Sequence, residues 1–125
     1  VRTAKELLAA AYYNSHNYDE AYEIIASYPD PDGDLLAAKQ KIAYFRGLSA
    51  LEKGDTEGAG RYLAESARIG ISPKYNALAT FWQGEIAFAQ GDYTVAAAKY
   101  NAYLKRAPRT EREITTLLCA ITSPT

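Results

Sequence analysis

Few residues in this chain are of types and in places that could do chemistry. They are one histidine, His16, one cysteine, Cys119, the acidic run DPDGD at 30–34, and the glutamates Glu6, Glu52 and Glu85 set in otherwise apolar stretches. His16 lies in the turn NSHN and is the only imidazole, so a histidine-based triad or a multi-histidine metal site has nothing to build with. It reads as a solvated turn residue. Cys119 sits among Leu117, Leu118, Ala120 and Ile121 and reads as an inert core thiol; being single, it excludes an internal disulfide and a cysteine-cluster zinc site. DPDGD resembles the start of a calcium loop, yet its glycine comes two positions early and Lys41 stands where a bidentate glutamate is needed. It is expected to be a turn that leads into a helix capped by Asp34. Neither a GxxxxGK[ST] phosphate loop nor a GxGxxG after a strand is present. Two of the three glutamates could share acid–base work only if the fold brought them to one bond. No catalytic, cofactor-binding or metal-binding residue is therefore assigned, and a non-enzymatic protein is expected.

What stands out instead is aromatic content, with 11 tyrosines and the stretch FWQGEIAFAQGDY at 81–93. Tyrosine couples a large apolar body to a polar tip, which suits contacts between helices and protein interfaces alike. Tyr12, Tyr18, Tyr28, Tyr62, Tyr93 and Tyr100 are assigned to packing between helices. The 14 lysines and arginines nearly balance 15 aspartates and glutamates, and a net charge of −1 gives no general attraction to nucleic acid or anionic membrane. Apolar runs fall short of the roughly 20 residues of a membrane span. A chain of 125 residues fits one domain, 1–125, and it is expected to be cut from a longer protein, since it has no methionine and begins at Val1.

The elements that would position these residues come from an internal repeat. Aligning AYFRGLSALEKGDTEGA (43–59) with TFWQGEIAFAQGDYTVA (80–96) matches Gly47 to Gly84, Ala50 to Ala87, Gly54 and Asp55 to Gly91 and Asp92, and Ala59 to Ala96, each pair 37 apart. A weaker copy lies upstream, where Tyr18 and Ala21 precede Thr56 and Ala59 by 38 and Ala9 takes the place of Gly47. Apolar residues recur at three and four positions, as in Tyr44, Gly47, Leu48 and Leu51, which is the helical period. Helix starts are expected at Asp34, Asp55, Ser72, Asp92 and Thr110, the last forming a capping box with Glu113, and helix ends at Gly54, Gly70 and Gly91. The spacing predicts seven helices, over 3–14, 18–28, 35–53, 55–69, 73–90, 92–106 and 110–121.

The order small residue (Gly47, Gly84), glycine–aspartate (Gly54-Asp55, Gly91-Asp92), aromatic (Tyr18, Tyr93), alanine (Ala21, Ala59, Ala96) and closing proline (Pro108) resembles the tetratricopeptide repeat, or TPR. The resemblance covers almost the whole chain, with spacings longer than the usual 34 or so residues. It implies an all-α, right-handed solenoid of antiparallel helix pairs: repeats over about 1–33, 34–71 and 72–109, and a partial repeat over 110–125. In such a register Gly47 should oppose Ala59, and Gly84 should oppose Ala96.

By the same resemblance, the columns facing the concave groove hold Tyr13, Tyr44, Leu48, Leu51, Phe81, Glu85 and Phe88, with Trp82 as a further recognition candidate. The lysines, arginine and asparagines by which TPR domains grip a C-terminal carboxylate are replaced by Glu6, Ala10, Phe45, Leu78 and Trp82, so that function is not implied. The expectation is a scaffold that binds a protein or peptide partner through an apolar, aromatic groove. The alternative is a purely structural segment of a longer solenoid whose apolar face packs on flanking repeats. The last helix, with Ile114, Leu117, Leu118 and Ile121 on one face, could also pair with another copy of the chain. The order of these units further resembles segments of long TPR proteins of Bacteroidetes-type bacteria, which tilts localisation toward the periplasm or cell envelope.

Overall fold

Helix starts in this chain are set by short polar side chains that accept from the first free amides. In the computed structural model, which describes residues 2–29 and 31–106, Asp55 accepts from Gly58 N, Ser72 from Tyr75 N and Asp92 from Val95 N. The helices so delimited are α1 (Arg2–Asn14), α2 (Tyr18–Ala26), α3 (Gly33–Glu52), α4 (Thr56–Ile69), α5 (Pro73–Ala89) and α6 (Tyr93–Arg106). Among the described residues there is no strand. The start of α3 corrects the expected cap: Asp32, not Asp34, accepts from Leu35 N at 2.9 Å, and Asp34 lies inside the first turn. Gly33 lets the chain enter the helix two residues early. The seventh expected helix, the Thr110–Glu113 box, Pro108, Cys119 and the pairing surface of Ile114, Leu117, Leu118 and Ile121 lie outside the described residues.

The three turns between α1 and α2, α3 and α4, and α5 and α6 close with the same hydrogen bonds. His16 N, Gly54 N and Gly91 N donate to the carbonyls of Tyr13, Leu51 and Phe88, while Asn17 N, Asp55 N and Asp92 N reach back to Tyr12, Ala50 and Ala87. This double closure requires a left-handed residue just past the helix. Gly54 and Gly91 supply it at φ 84° and 80°, and His16 supplies it at φ 65° without being glycine. An L-residue there costs about 1–2 kcal/mol. The first turn thus keeps the geometry of the other two despite lacking their glycine.

Neighbouring helices pack in chain order, and α3 also meets α5 directly. Within each pair the alanine at the crossing is shut off from solvent: Ala21 and Ala59 are 0% exposed and Ala96 is 1%. Gly47 meets Ala59 as expected, through the alanine's carbonyl, although Leu63 comes closer; Gly84 meets Tyr100 and Lys99 before Ala96. A Cβ on Gly47 would come 2.9 Å from Leu63 Cγ, with the Ala59 carbonyl at 3.4 Å, and a Cβ on Gly84 would come 2.9 Å from the Tyr100 ring and 3.2 Å from Lys99 Cβ. Closest approach lies one helical turn beyond each alanine, because Leu63 and Tyr100 each follow it by four residues.

Two polar clusters tie the pairs together. Gln40, fully buried, accepts from Ser72 N and donates to Asn76 Oδ1 at 2.6 Å, while its carbonyl accepts from Ser66 Oγ, so α3, α4 and the start of α5 share one satisfied network. Between α2, α3 and α4, the Arg46 guanidinium lies over the rings of Tyr22 (4.8 Å) and Tyr62 (4.2 Å) and bonds Asp19 at 2.7 Å. Tyr22 donates to Glu65, which also faces Lys39 and Arg68. Burial, helped by that bond to the Glu65 carboxylate, holds the Tyr22 hydroxyl well above the ordinary tyrosine range. No described helix is long and apolar enough to cross a membrane.

Candidate functional site

Most residues expected to line a groove spend their contacts inside the molecule. Tyr44 is only 5% exposed; its ring meets Phe45 at 5.1 Å and Tyr75 at 5.3 Å, and its hydroxyl accepts from Trp82 Nε1 at 3.0 Å. The reading of Tyr44 as a groove residue is therefore corrected: with Trp82 it joins α3 to α5. Phe81 packs on Tyr103 at 5.3 Å and Tyr100 at 6.0 Å, and Glu85 accepts from the Tyr100 hydroxyl at 2.6 Å, so both face α6. They hold one pair together. Leu51 is half-buried, with its carbonyl taken by the turn at Gly54.

Phe88 alone of the α5 candidates is substantially exposed, at 45%, and it lies against Tyr93, which is 62% exposed. Tyr93 thus makes the contact between helices expected of it, edge-on to Phe88 of α5 at 5.2 Å, while most of its surface stays exposed. The other tyrosines expected between helices have such partners: Tyr12 and Tyr28 pack on the first core cluster, Tyr18 stacks on Phe45 at 5.6 Å, Tyr62 on Arg46, and Tyr100 on Glu85 and Phe81.

Tyr13 opens onto a concavity. A cleft of about 590 Å³ runs between α1 and α3, and Ile25 of α2 contributes to its lining. From α1 come Glu6, Ala9, Ala10 and Tyr13, spaced so that they share one helix face. From α3 come Asp34, Leu35, Ala38, Lys41 and Ile42, again one face, with the cap residue Asp32 at its edge. The Tyr13 ring lies 4.9 Å from Lys41 Nζ and edge-on to Phe45 at 5.8 Å, which fixes one end of the cleft. Carboxylates of Glu6, Asp32 and Asp34 line the cleft as well.

A smaller hollow of about 240 Å³ is lined by His16, Tyr18, Phe45, Leu48, Ser49 and Glu52. His16 Nδ1 and the Tyr18 hydroxyl lie 2.6 Å apart, and burial followed by the neighbouring Tyr13 raises the Tyr18 pKa. The three glutamates considered for acid–base work thus stand at three places: Glu6 in the large cleft, Glu52 in the small hollow, Glu85 against Tyr100. Among the described residues no group of three or more His, Cys, Asp or Glu is placed to hold a metal ion.

Sequence reasoning placed Tyr13 at the groove but passed over Asp32, Asp34, Ala38, Lys41 and Ile42. Leu35, Ala38 and Ile42 do recur at helical spacing, yet α3 touches α2, α4 and α5 and carries apolar residues on most of its circumference, which hides one more stripe. Comparison with protein-family models and with curated proteins finds no match to this chain.

Proposed function

We propose that this chain is a non-enzymatic, TPR-like helical-repeat scaffold that binds a protein partner along the face formed by α1, α3 and α5. The observation that carries the reading is the open cleft between α1 and α3, apolar on its floor and charged on its walls, set between the first helices of two consecutive pairs. Support for a repeated unit comes from the three turns with matching hydrogen bonds, spaced 37 and 38 residues apart. Stacked pairs of this kind form a right-handed solenoid, and its inner face is the surface such proteins use for recognition. Clefts of this size, mostly apolar with a few convergent polar groups, are the usual form of a binding site.

The test is site-specific photocrosslinking. A photoreactive phenylalanine analogue at Ala10 or Phe88, on the proposed face, should trap a common partner, and the same group at Glu57, in the first turn of α4, should not. Equal trapping at all three positions, or at none, would count against the groove. A second reading has its own observation: Tyr93, Val95 and Leu104 leave exposed apolar surface on α6. In a longer solenoid this end would be covered by the next pair, and the chain would serve as a structural segment.

A further inference from the structure

Helix α1 carries an apolar stripe on its exposed side. Ala4, Leu7, Leu8 and Ala11 recur at three and four positions and so share one face. Leu7 is 67% exposed, Leu8 is 48% exposed, and both alanines are exposed. None of the four lines the cleft between α1 and α3.

Matched positions in the later pairs are covered. Counting 38 residues on, they are Ile42, Phe45, Arg46 and Ser49 of α3, and they meet α2: Ile42 clusters with Ala21 and Ile25, Phe45 stacks on Tyr18, and Arg46 bonds Asp19. Counting 37 further, they are Ala79, Trp82, Gln83 and Ile86 of α5, and the three apolar ones cluster with Leu63 of α4. This face of a first helix is thus a helix-packing face, closed twice within the chain by the second helix before it.

Charge and spacing narrow what would close it on α1. Where α3 presents Arg46 to Asp19 and Glu23, α1 presents Leu8, so an acidic helix like α2 has no cation to meet there. Lys5 lies over the Tyr28 ring and Glu6 lines the cleft, so neither interrupts the stripe. The matching surface is a helix with an equally uncharged stripe, and α1 is one. Its spacing is symmetric about a point between positions 7 and 8, where a half-turn exchanges Ala4 with Ala11 and Leu7 with Leu8. A two-fold interface uses one patch on both partners, and this patch complements itself, alanine on alanine and leucine on leucine.

We propose that the outward face of α1 is a self-association surface, on which a second copy of this chain lays its own α1 antiparallel about that two-fold axis. Because the stripe and the cleft share no residue, the dimer is independent of the groove-binding reading. A helix of 13 residues is about 20 Å long. The contact is therefore smaller than the roughly 800 Å² per partner of a standard interface, and the dimer is weak, with a Kd of about 0.1–1 mM.

The experiment is sedimentation equilibrium of the 125-residue chain from micromolar to millimolar concentration. A monomer–dimer equilibrium is expected. Leu7→Lys and Leu8→Glu, both at exposed positions, should each raise the dimer Kd at least about tenfold and leave the melting curve of the dilute chain in place. Mixing the two variants should restore association, because position 7 of one copy lies beside position 8 of the other, which sets lysine on glutamate and leaves leucine on leucine.

A chain that stays monomeric throughout would overturn the proposal, as would a dimer indifferent to both substitutions. Failure of the mixture to recover would reject the antiparallel pairing. Association that Leu118→Glu abolishes and Leu8→Glu does not would assign self-association to the segment 110–121 instead. Open-ended oligomers in place of a dimer would mean that the stripe meets a different surface of the next copy, and would likewise overturn it.

Discussion

The α1–α3 and α3–α5 junctions present matched positions with opposite contents. Counting 38 residues from α1 to α3, Glu6 and Ala10 correspond to Tyr44 and Leu48; counting 37 from α3 to α5, Ala38 corresponds to Tyr75 and Phe45 to Trp82. In the second junction Tyr44, Phe45, Tyr75 and Trp82 interlock, and the Trp82–Tyr44 hydrogen bond closes it. At the first junction alanines and a glutamate leave the 590 Å³ cleft. One hairpin geometry therefore yields a seal or an open cleft according to four or five side-chain volumes. The backbone is shared, and the difference is bulk.

The largest expected effect breaks the seal. Trp82→Ala should cost about 3–5 kcal/mol, since it removes a large packed ring and leaves Tyr44 without its donor; a chemical denaturation curve shifted by less than about 1 kcal/mol would mean that the junction is not a cooperative unit. Next comes a test inside one pair. Gly84→Leu should cost about 2–3 kcal/mol by overpacking against Tyr100 and Lys99. An unchanged melting curve would contradict the close crossing.

Tyr22→Phe should cost about 1.5 kcal/mol for the lost bond to a charged acceptor. Because folding raises the Tyr22 pKa above its ordinary value of 10.0, its contribution is complete below about pH 10 and is lost as pH rises further. The wild-type melting temperature should therefore fall more steeply above pH 10 than that of the phenylalanine variant, and parallel profiles would refute the link. His16→Gly should stabilise by about 0.5–1 kcal/mol by relieving the left-handed residue; a loss would mean that the contact of His16 with Tyr18 outweighs the backbone term. The smallest effect converts the open junction toward the sealed one. Ala10→Leu should change stability by no more than about 0.5 kcal/mol, and a loss of several kcal/mol would show that the cleft is tighter than its volume implies.

Helix positions were legible because their signals are local. Ser72 before Pro73, Asp55 after Gly54 and Asp92 after Gly91 each carry their own cap chemistry, and each observed helix begins within two residues of its expected start. Asp34 misled because two aspartates flank Gly33, and only the path of the chain decides which one caps. The candidate site was less legible. Phe81 and Glu85 look like recognition residues by type and column, yet they face α6, a choice made by the rotation of α5 about its own axis. Rotation of that kind leaves no trace in spacing when a helix is apolar on several sides.

By itself, then, the sequence determined the helices of the described residues, their period of 37 to 38 residues, and the left-handed turn positions at Gly54 and Gly91. Only the tertiary structure decided that His16 takes the third left-handed position, that Tyr44 and Trp82 seal one junction, and that Glu6, Asp34 and Lys41 border an open cleft at the other. The physical reason is range. Caps, turns and periodicity act between residues a few positions apart, whereas a cleft exists where side chains nearly forty residues apart together fail to fill the space between two helices.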